Sequence, residues 1–226
     1  MKGVIIIMKN ILKGAIIILV LCGVLVFFMI EQKTDPQGSI TSNEIEIQYD
    51  EKGIIKPESA EKIIKETADE LIYALSVKDS ETISEFVHPV KGLRFTPYTH
   101  VSPERDIVFN VEQVKNFFKD QNQYLWGYYD GSGEEILLTP SEYYAKFIYS
   151  EDFVNAEEIG YNEVLSFGNM LENQFEVYES PIIVEYYFSG FNPEYEGMDW
   201  RSLRLVFEEY EGHWKLVGLI NNQWTI

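Results

Sequence analysis

The chain has 226 residues and a formal net charge of −19, from 37 acidic residues against 18 Lys and Arg. This acidity excludes a nucleic-acid-binding protein, because nucleic acids are bound by basic patches that release counterions. The single cysteine, Cys22, excludes internal disulfides and cysteine-based metal sites. The length leaves room for one folded domain beside any membrane anchor.

The N-terminal segment is strongly hydrophobic. An uncharged run at residues 14–30 is long enough to cross a bilayer as one helix. Lys2, Lys9 and Lys13 precede this run and every acidic residue follows it, which by the positive-inside rule predicts a cytoplasmic N-terminus. We therefore expect a single-pass protein of the cell membrane, with its C-terminal domain outside the cytoplasm.

The predicted organisation has three parts. Residues 1–30 are expected to be a cytoplasmic stub and transmembrane anchor, and residues 31–57, rich in polar residues, Gly and Pro, a linker. Residues 58–226 are the predicted extracytoplasmic domain. Two questions stay open at this stage. One is whether translation starts at Met1 or at Met8. The other is whether Cys22 is lipidated, which is the weaker alternative to a membrane-helix residue because the apolar run continues past it.

Helices are predicted first in the domain. Apolar residues recur at helical spacing from Ala60 to Leu75, and Pro57 suits the first helical turn. Asp79 or Ser80 can cap a second helix, which ends before a proline. Further along, Asn110 and Thr139 are predicted caps of two more helices. These helices are expected at residues 111–118 and 140–149.

The C-terminal half has the composition of β-strands. Alternating apolar and polar residues at 202–208, followed by a turn at Glu209–Gly212, predict an antiparallel meander. The strands are expected at residues 93–98, 124–129, 175–188, 202–208 and 214–224. Helices first and a sheet last predict an α+β fold, with N-terminal helices packed on a curved antiparallel sheet.

This order of elements resembles a known superfold. Paired helices and a sheet ending in residues 212–220 are similar to the cone of the nuclear-transport-factor-two-like (cystatin-like) domains. The segments 91–95, 126–133, 199–207 and 223–226 are similar to a family of uncharacterised bacterial envelope proteins. The resemblance covers roughly residues 60–226. It implies a cone-like fold but no activity, because this superfold hosts both enzymes and binding domains.

The segments that carry the resemblance also contain the candidate ligand-binding residues. They combine a fixed cation, carboxylates and indoles, which suits a mostly apolar pocket with a few orienting polar groups. The structural alternative is a hairpin turn at Asp130 and a turn with a buried anchor at Asp199 and Trp200. The candidates are Arg94, Trp126, Asp130, Asp199 and Trp200.

Catalytic and metal-binding motifs are not recognisable. The sequence lacks a nucleophile elbow, a zinc-protease motif and a phosphate loop, so we expect no catalytic residues, metal or cofactor. The favoured function is a ligand-binding or sensor module anchored to the membrane. The alternatives are an envelope protein-protein interaction domain and a carboxylate-based enzyme acting on envelope glycans, because two distant carboxylates leave no linear motif.

Overall fold

A computed structural model describes residues 46–225 of the chain. The predicted transmembrane anchor, most of the predicted linker, and Cys22 lie outside these residues. Within residues 46–225, no helix combines the length and the hydrophobicity needed to cross a bilayer. The membrane anchor therefore stays a prediction from the sequence.

The two N-terminal helices form as predicted. Helix α1 spans Pro57–Ser76 and places Ile64, Ala68 and Leu71 on its buried face. Helix α2 spans Ser80–Phe86 and is capped by Asp79, whose carboxylate accepts a hydrogen bond from the backbone N–H of Thr82 at 3.1 Å.

Two further helices follow the capping signals, and the first of them is shorter than predicted. Helix α3 spans Val111–Lys115, and helix α4 spans Pro140–Tyr143 and continues as a π-helix at Tyr144–Ile148. Asn110 and Thr139 each form a full capping box. The caps therefore identified where these helices begin more accurately than where they end.

Eight strands form two sheets in the part of the chain that the structure describes. The six-stranded sheet has the order β2-β1-β8-β7-β6-β5, and β3 and β4 form a separate hairpin. Residues 201–223 form the long β7–β8 hairpin at the centre of the sheet. The bounds are β1 Leu93–Thr96, β2 Ile107–Phe109, β3 Tyr124–Tyr128, β4 Glu135–Leu138, β5 Glu158–Tyr161, β6 Ile182–Phe188, β7 Arg201–Tyr210 and β8 His213–Gln223.

The protein is α+β, with helices and a curved, mixed sheet, and the prediction of a purely antiparallel sheet is wrong. Strand β1 runs parallel to β8, with Arg94 opposite Gly218 and Phe95 opposite Leu219. The pairing joins two strands from opposite ends of the domain. Residue alternation indicates a strand but does not identify its partner, so the direction of this pair was not readable from the sequence.

The predicted strand at 175–188 is also wrong in its first part. Residues Gln174–Val177 form a short helix, α5, and β6 begins only at Ile182. Pro181 separates the two elements, and a proline limits the conformations of the residue before it. Short edge strands β2 and β5 were not predicted.

The six-stranded sheet is covered on both faces. One face carries Leu203, Leu205 and Phe207 of β7 and packs against α1 in the main hydrophobic core. The other face carries Val206 together with buried polar groups, and a smaller cluster that includes Tyr178 packs on it. The domain is thus layered, and polar side chains are concentrated in the second layer.

The segment before α1 also contacts the domain. Tyr49 forms a β-bridge with Ile55, and the Ile55 side chain is buried in the main core. The backbone N–H of Gln48 donates to the hydroxyl of Ser59 at 3.0 Å. Residues 46–56, the last part of the predicted linker, are therefore attached to the folded domain through Gln48 and Ile55.

Candidate functional site

Trp126, one of the five predicted site residues, belongs to the aromatic core. Its side chain is fully buried, stacks on Tyr143 with ring centroids 3.9 Å apart, and contacts Phe95 edge-on. The indole N–H donates to the carbonyl of Leu138 at 2.9 Å. A buried Trp with its N–H satisfied and a stacked partner is a packing residue first.

Arg94 lies on the other face of the sheet from Trp126. Its neighbours in β1, Leu93 and Phe95, point into the main core, and successive side chains of a strand point to opposite faces. The Arg94 guanidinium donates to the carbonyl of Pro103 at 3.3 Å. The structure therefore does not bring Arg94 and Trp126 together.

The remaining three candidates lie in turns. Asp130 is exposed at the tip of the β3–β4 hairpin. The Asp199 carboxylate accepts backbone N–H bonds from Phe191 and Asn192, at 3.1 and 2.8 Å, and thereby closes the loop between β6 and β7. Trp200 is buried beside Tyr187. These three residues therefore have the structural roles of a hairpin turn and of a turn with a buried anchor. Of the five candidates, Trp126 borders the largely apolar cleft beside β3.

A cleft with aromatic walls lies beyond the end of β1. Its volume is about 330 Å³, and its lining is mostly apolar. The loop 97–106 forms one wall and strand β3 another. Its lining includes the residues Tyr98, His100, Arg105, Asp106, Trp126, Tyr128 and Met170.

The 97–106 loop is held in place by β8. The side-chain amide of Asn221 donates to the carbonyl of Pro97 at 2.9 Å, and the hydroxyl of Thr99 donates to Asn222. Opposite this loop, Gly127 adopts a φ of +152°, and a Cβ there would lie 3.1 Å from the ring of Pro97. The loop and strand β3 therefore approach closely at the floor of the cleft.

Asp106 is the acidic group of the cleft. Its Oδ2 accepts hydrogen bonds from the hydroxyl of Thr96 at 2.7 Å and from the backbone N–H of Ser102 at 2.9 Å. Among the described residues, Oδ1 receives no hydrogen bond. Burial raises the pKa of Asp106, although the nearby guanidiniums of Arg94 and Arg105 act in the opposite direction. Asp106 thus lines the cleft and has one oxygen, Oδ1, free to accept a further hydrogen bond.

Two aromatic side chains and a histidine complete the polar surface. The hydroxyl of Tyr98 accepts a bond from the backbone N–H of Asp130 at 3.3 Å, whereas the Tyr128 side chain is 47% exposed. Nδ1 of His100 lies 3.2 Å from the carbonyl of Leu171. A carbonyl partner requires a proton on Nδ1, which leaves Nε2 as an acceptor in the neutral ring.

Residues 163–173, which we call the strap, supply the last wall of the cleft through Met170. The strap has no regular secondary structure and crosses the second face of the sheet. Its end is fixed to the cleft loop, because the Asn173 side chain exchanges two hydrogen bonds of 2.9 Å with the backbone of Val101. The strap and the 97–106 loop therefore form one connected rim.

A buried charge network holds the strap to the sheet. Arg204 of β7 donates to both oxygens of Glu172 and, at 3.1 Å, to the hydroxyl of Ser166. Glu185 of β6 accepts from the backbone N–H of Leu165 at 2.8 Å and from the same serine. Buried charges are tolerated where they are paired and hydrogen-bonded, as they are here.

No protein-family model, curated protein or solved structure matches this chain. The site is therefore interpreted from its own geometry. Within residues 46–225, no three side chains of the metal-binding types come close enough together to hold a metal ion.

A second cavity, of about 310 Å³, lies at the other end of the β7–β8 hairpin. Three of its four charged side chains, Lys91, Glu179 and Glu208, already bind each other. Glu208 pairs with Lys91 through Oε2 and accepts the backbone N–H of Glu179 at 2.7 Å through Oε1. The bond to Glu208 raises the pKa of Lys91. The first cleft, with its unused carboxylate oxygen, is the better candidate.

Sequence reasoning missed most of this cleft. Asp106 and Tyr98 lie in a stretch without a recognised motif, and their proximity depends on how the 97–106 loop folds onto β8. Tyr128 belongs to the segment 126–133 that carried the family resemblance, which was the one signal in the sequence that pointed to this region.

Proposed function

We propose that this protein is a membrane-anchored extracytoplasmic domain that binds a small molecule, with a cone-like fold of the nuclear-transport-factor-two-like type. The observation that carries the proposal is the cleft at Tyr98, Asp106 and Tyr128, in which aromatic walls surround a free carboxylate oxygen. Ligand sites in proteins are usually concave, mostly apolar and furnished with a few orienting polar groups.

The size of the cleft supports a small-molecule ligand. Its volume of about 330 Å³ falls at the lower end of the roughly 300–1,000 Å³ typical of ligand pockets. Its walls come from elements that are separately fixed: the loop bound by β8, the strand β3, and the strap bound by Arg204. A pocket with fixed walls loses little conformational entropy on binding, which favours recognition.

The enzyme alternative is less well supported. A glycan hydrolase needs two carboxyl groups that face each other across the bond to be cleaved. Among the described residues that line the cleft, Asp106 is the one carboxylate. The present geometry therefore favours binding over hydrolysis.

A protein-interaction role is the second candidate, and one observation favours it. Phe167 and Leu171 of the strap are 74% and 80% exposed, although both are large and apolar. Exposed apolar residues close together often mark a contact surface. Binding at the cleft and contact with a partner at the strap are compatible, because Met170 lies between these two residues and lines the cleft.

A thermal-shift screen of the detergent-solubilised full chain tests the ligand-binding proposal. A fragment library should contain compounds that raise the unfolding midpoint, because a ligand that binds only the folded state stabilises it. Tyr128→Ala should abolish those shifts, and Tyr73→Ala, which removes an exposed tyrosine from α1, should leave them unchanged. Shifts that survive Tyr128→Ala would place the binding elsewhere.

The proposed topology has its own test. A tag placed before Met1 should resist protease added outside intact cells, whereas a tag placed after Ile226 should be digested, because the basic residues precede the hydrophobic run. Digestion of the N-terminal tag with protection of the other would reject the proposed location.

A further inference from the structure

Resting on the proposed function, we infer that the ligand of the cleft is an uncharged ring that bears several hydroxyl groups, such as a sugar unit of a glycan. Three features of the cleft lead to this class of ligand. They are its stacking surface, its surplus of hydrogen-bond acceptors, and its local balance of charge.

The stacking surface is formed by Tyr98 and Tyr128. Tyr128 is half exposed, so its ring is available to a ligand, whereas the buried Trp126, stacked on Tyr143, supports the cleft from behind. Aromatic rings offer a broad apolar face of fixed orientation. Such a face suits the C–H face of a sugar ring as well as a flat apolar ring.

The acceptors distinguish between those two kinds of ring. Asp106 presents a free Oδ1, and the hydrogen bond of His100 to the carbonyl of Leu171 leaves its Nε2 as a second acceptor. A purely apolar ring would cover these groups without bonding them, and a buried acceptor left unpaired costs free energy. A ligand with hydroxyl donors satisfies both. The hydroxyl oxygens can in turn accept from the guanidinium of Arg105, which is exposed at the same rim.

The charges argue against an ionic ligand. An anion is disfavoured by the Asp106 carboxylate and by the net charge of −19 of the chain. A cation is disfavoured because the positive charges of Arg94 and Arg105 already attract the Asp106 carboxylate and would repel a second cation there. A neutral ligand that donates hydrogen bonds meets neither objection.

The substitution that tests this inference is Asp106→Asn. Ser102 N–H and the Thr96 hydroxyl require an acceptor at the position of Oδ2, so the amide oxygen takes that place. The amide nitrogen then faces the cleft, where a donor replaces the free acceptor. The variant keeps the loop contacts and reverses only the group that the ligand meets. Asp69→Asn, at an exposed position of α1, is the matched control.

The experiment measures binding of three soluble trisaccharides, N-acetylglucosamine trimer, maltotriose and cellotriose, to the full chain by calorimetry. We expect saturable binding of at least one of them. Asp106→Asn and Tyr128→Ala should each weaken it about tenfold or more, with the unfolding midpoint of the free protein unchanged in Asp106→Asn. Asp69→Asn and Tyr73→Ala should bind like the original chain.

The outcomes separate the inference from the proposed function. If no trisaccharide binds while a fragment does, and Tyr128→Ala removes the fragment, the ligand class is overturned and the binding function stands. If neither sugars nor fragments bind, both are overturned. Sugar binding that is equally strong in Asp106→Asn and Tyr128→Ala would show that the sugar does not use this cleft. If Asp106→Asn does not fold, Tyr128→Ala decides.

Discussion

Arg204 donates hydrogen bonds to both carboxylate oxygens of Glu172, with the guanidinium fully buried beneath the strap and the carboxylate side chain 31% exposed. The Nε of the same arginine lies 3.3 Å from Oε1 of Glu185, which is also buried. One buried cation is thus shared by two carboxylates, one from the sheet and one from the strap. The pair joins the strap, and through Met170 the wall of the cleft, to the core of the domain.

Glu172→Gln should therefore destabilise the strap and the domain together. The substitution should cost about 1–3 kcal/mol, because the buried guanidinium of Arg204 loses its charged partner on the strap and keeps Glu185 alone. Urea unfolding should show this loss, and limited proteolysis should cut within 163–173 sooner. Glu176→Gln, on the exposed surface of α5, is the matched control and should change stability by less than about 0.5 kcal/mol. Equal effects of the two variants would reject the network as the anchor of the strap.

Trp126 should behave as a core residue in addition to lining the cleft. Trp126→Ala removes a fully buried indole, its stack on Tyr143 and its bond to Leu138, and should cost about 3–5 kcal/mol in urea unfolding. Trp224 is 38% exposed, so Trp224→Ala should cost much less. A small effect of Trp126→Ala would contradict the packing described here.

His88 makes stability depend on pH. Burial lowers its pKa from the ordinary value of 6.5, as do Lys91 and Lys215, whereas Glu208 acts in the opposite direction. Nδ1 accepts backbone N–H bonds from Val90 and Lys91, which a proton on Nδ1 would break. The unfolded chain binds the proton more readily, so stability is full above about pH 6.5 and falls as the pH drops through the lowered folded pKa.

The measurement is the urea midpoint at pH 5 and at pH 7. His88→Asn keeps an acceptor for the two N–H groups but does not titrate, so its midpoint should differ less between the two pH values than that of the original chain. His213→Asn changes an exposed histidine at the start of β8 and is the control. An unchanged pH dependence in His88→Asn would exclude His88 as its source.

Gly92 is required by a close backbone approach as well as by its conformation. It has φ of +72°, and a Cβ there would lie 2.6 Å from the carbonyl oxygen of Phe109 in β2. Gly212 also has a positive φ, of +79°, but a Cβ added there would have no neighbouring atom within 4 Å. Gly212→Ala should cost about 1 kcal/mol for its left-handed backbone alone. Gly92→Ala should cost clearly more, because β2 must also move, and similar thermal shifts in both variants would contradict this.

Local elements were the part of the fold that could be predicted. The α1 helix, the caps at Asp79, Asn110 and Thr139, and the β7–β8 hairpin depend on residues close in the chain, so their signals appear in short windows of sequence. The α+β class followed from their order. Edge strands were missed because three or four residues carry too little periodicity to be recognised.

The candidate site was not predictable in the same way. Arg94 and Trp126 both lie in segments that resemble a family, yet they lie on opposite faces of the sheet. Trp126 packs against Phe95, and Arg94, the neighbour of Phe95 in β1, points the other way. The cleft residues Tyr98 and Asp106 are brought to Tyr128 by bonds between the 97–106 loop and β8.

The sequence by itself determined the acidity, the hydrophobic segment at 14–30 and the helices and hairpin that form locally. Only the tertiary structure decided the parallel pairing of β1, the burial of Arg204 under the strap and the position of the free oxygen of Asp106. The physical reason is the distance along the chain between the residues that contact each other. Caps, turns and periodic faces depend on neighbours a few residues apart, whereas strand partners and buried ion pairs join residues far apart in the chain, whose contacts exist only after the whole domain has folded.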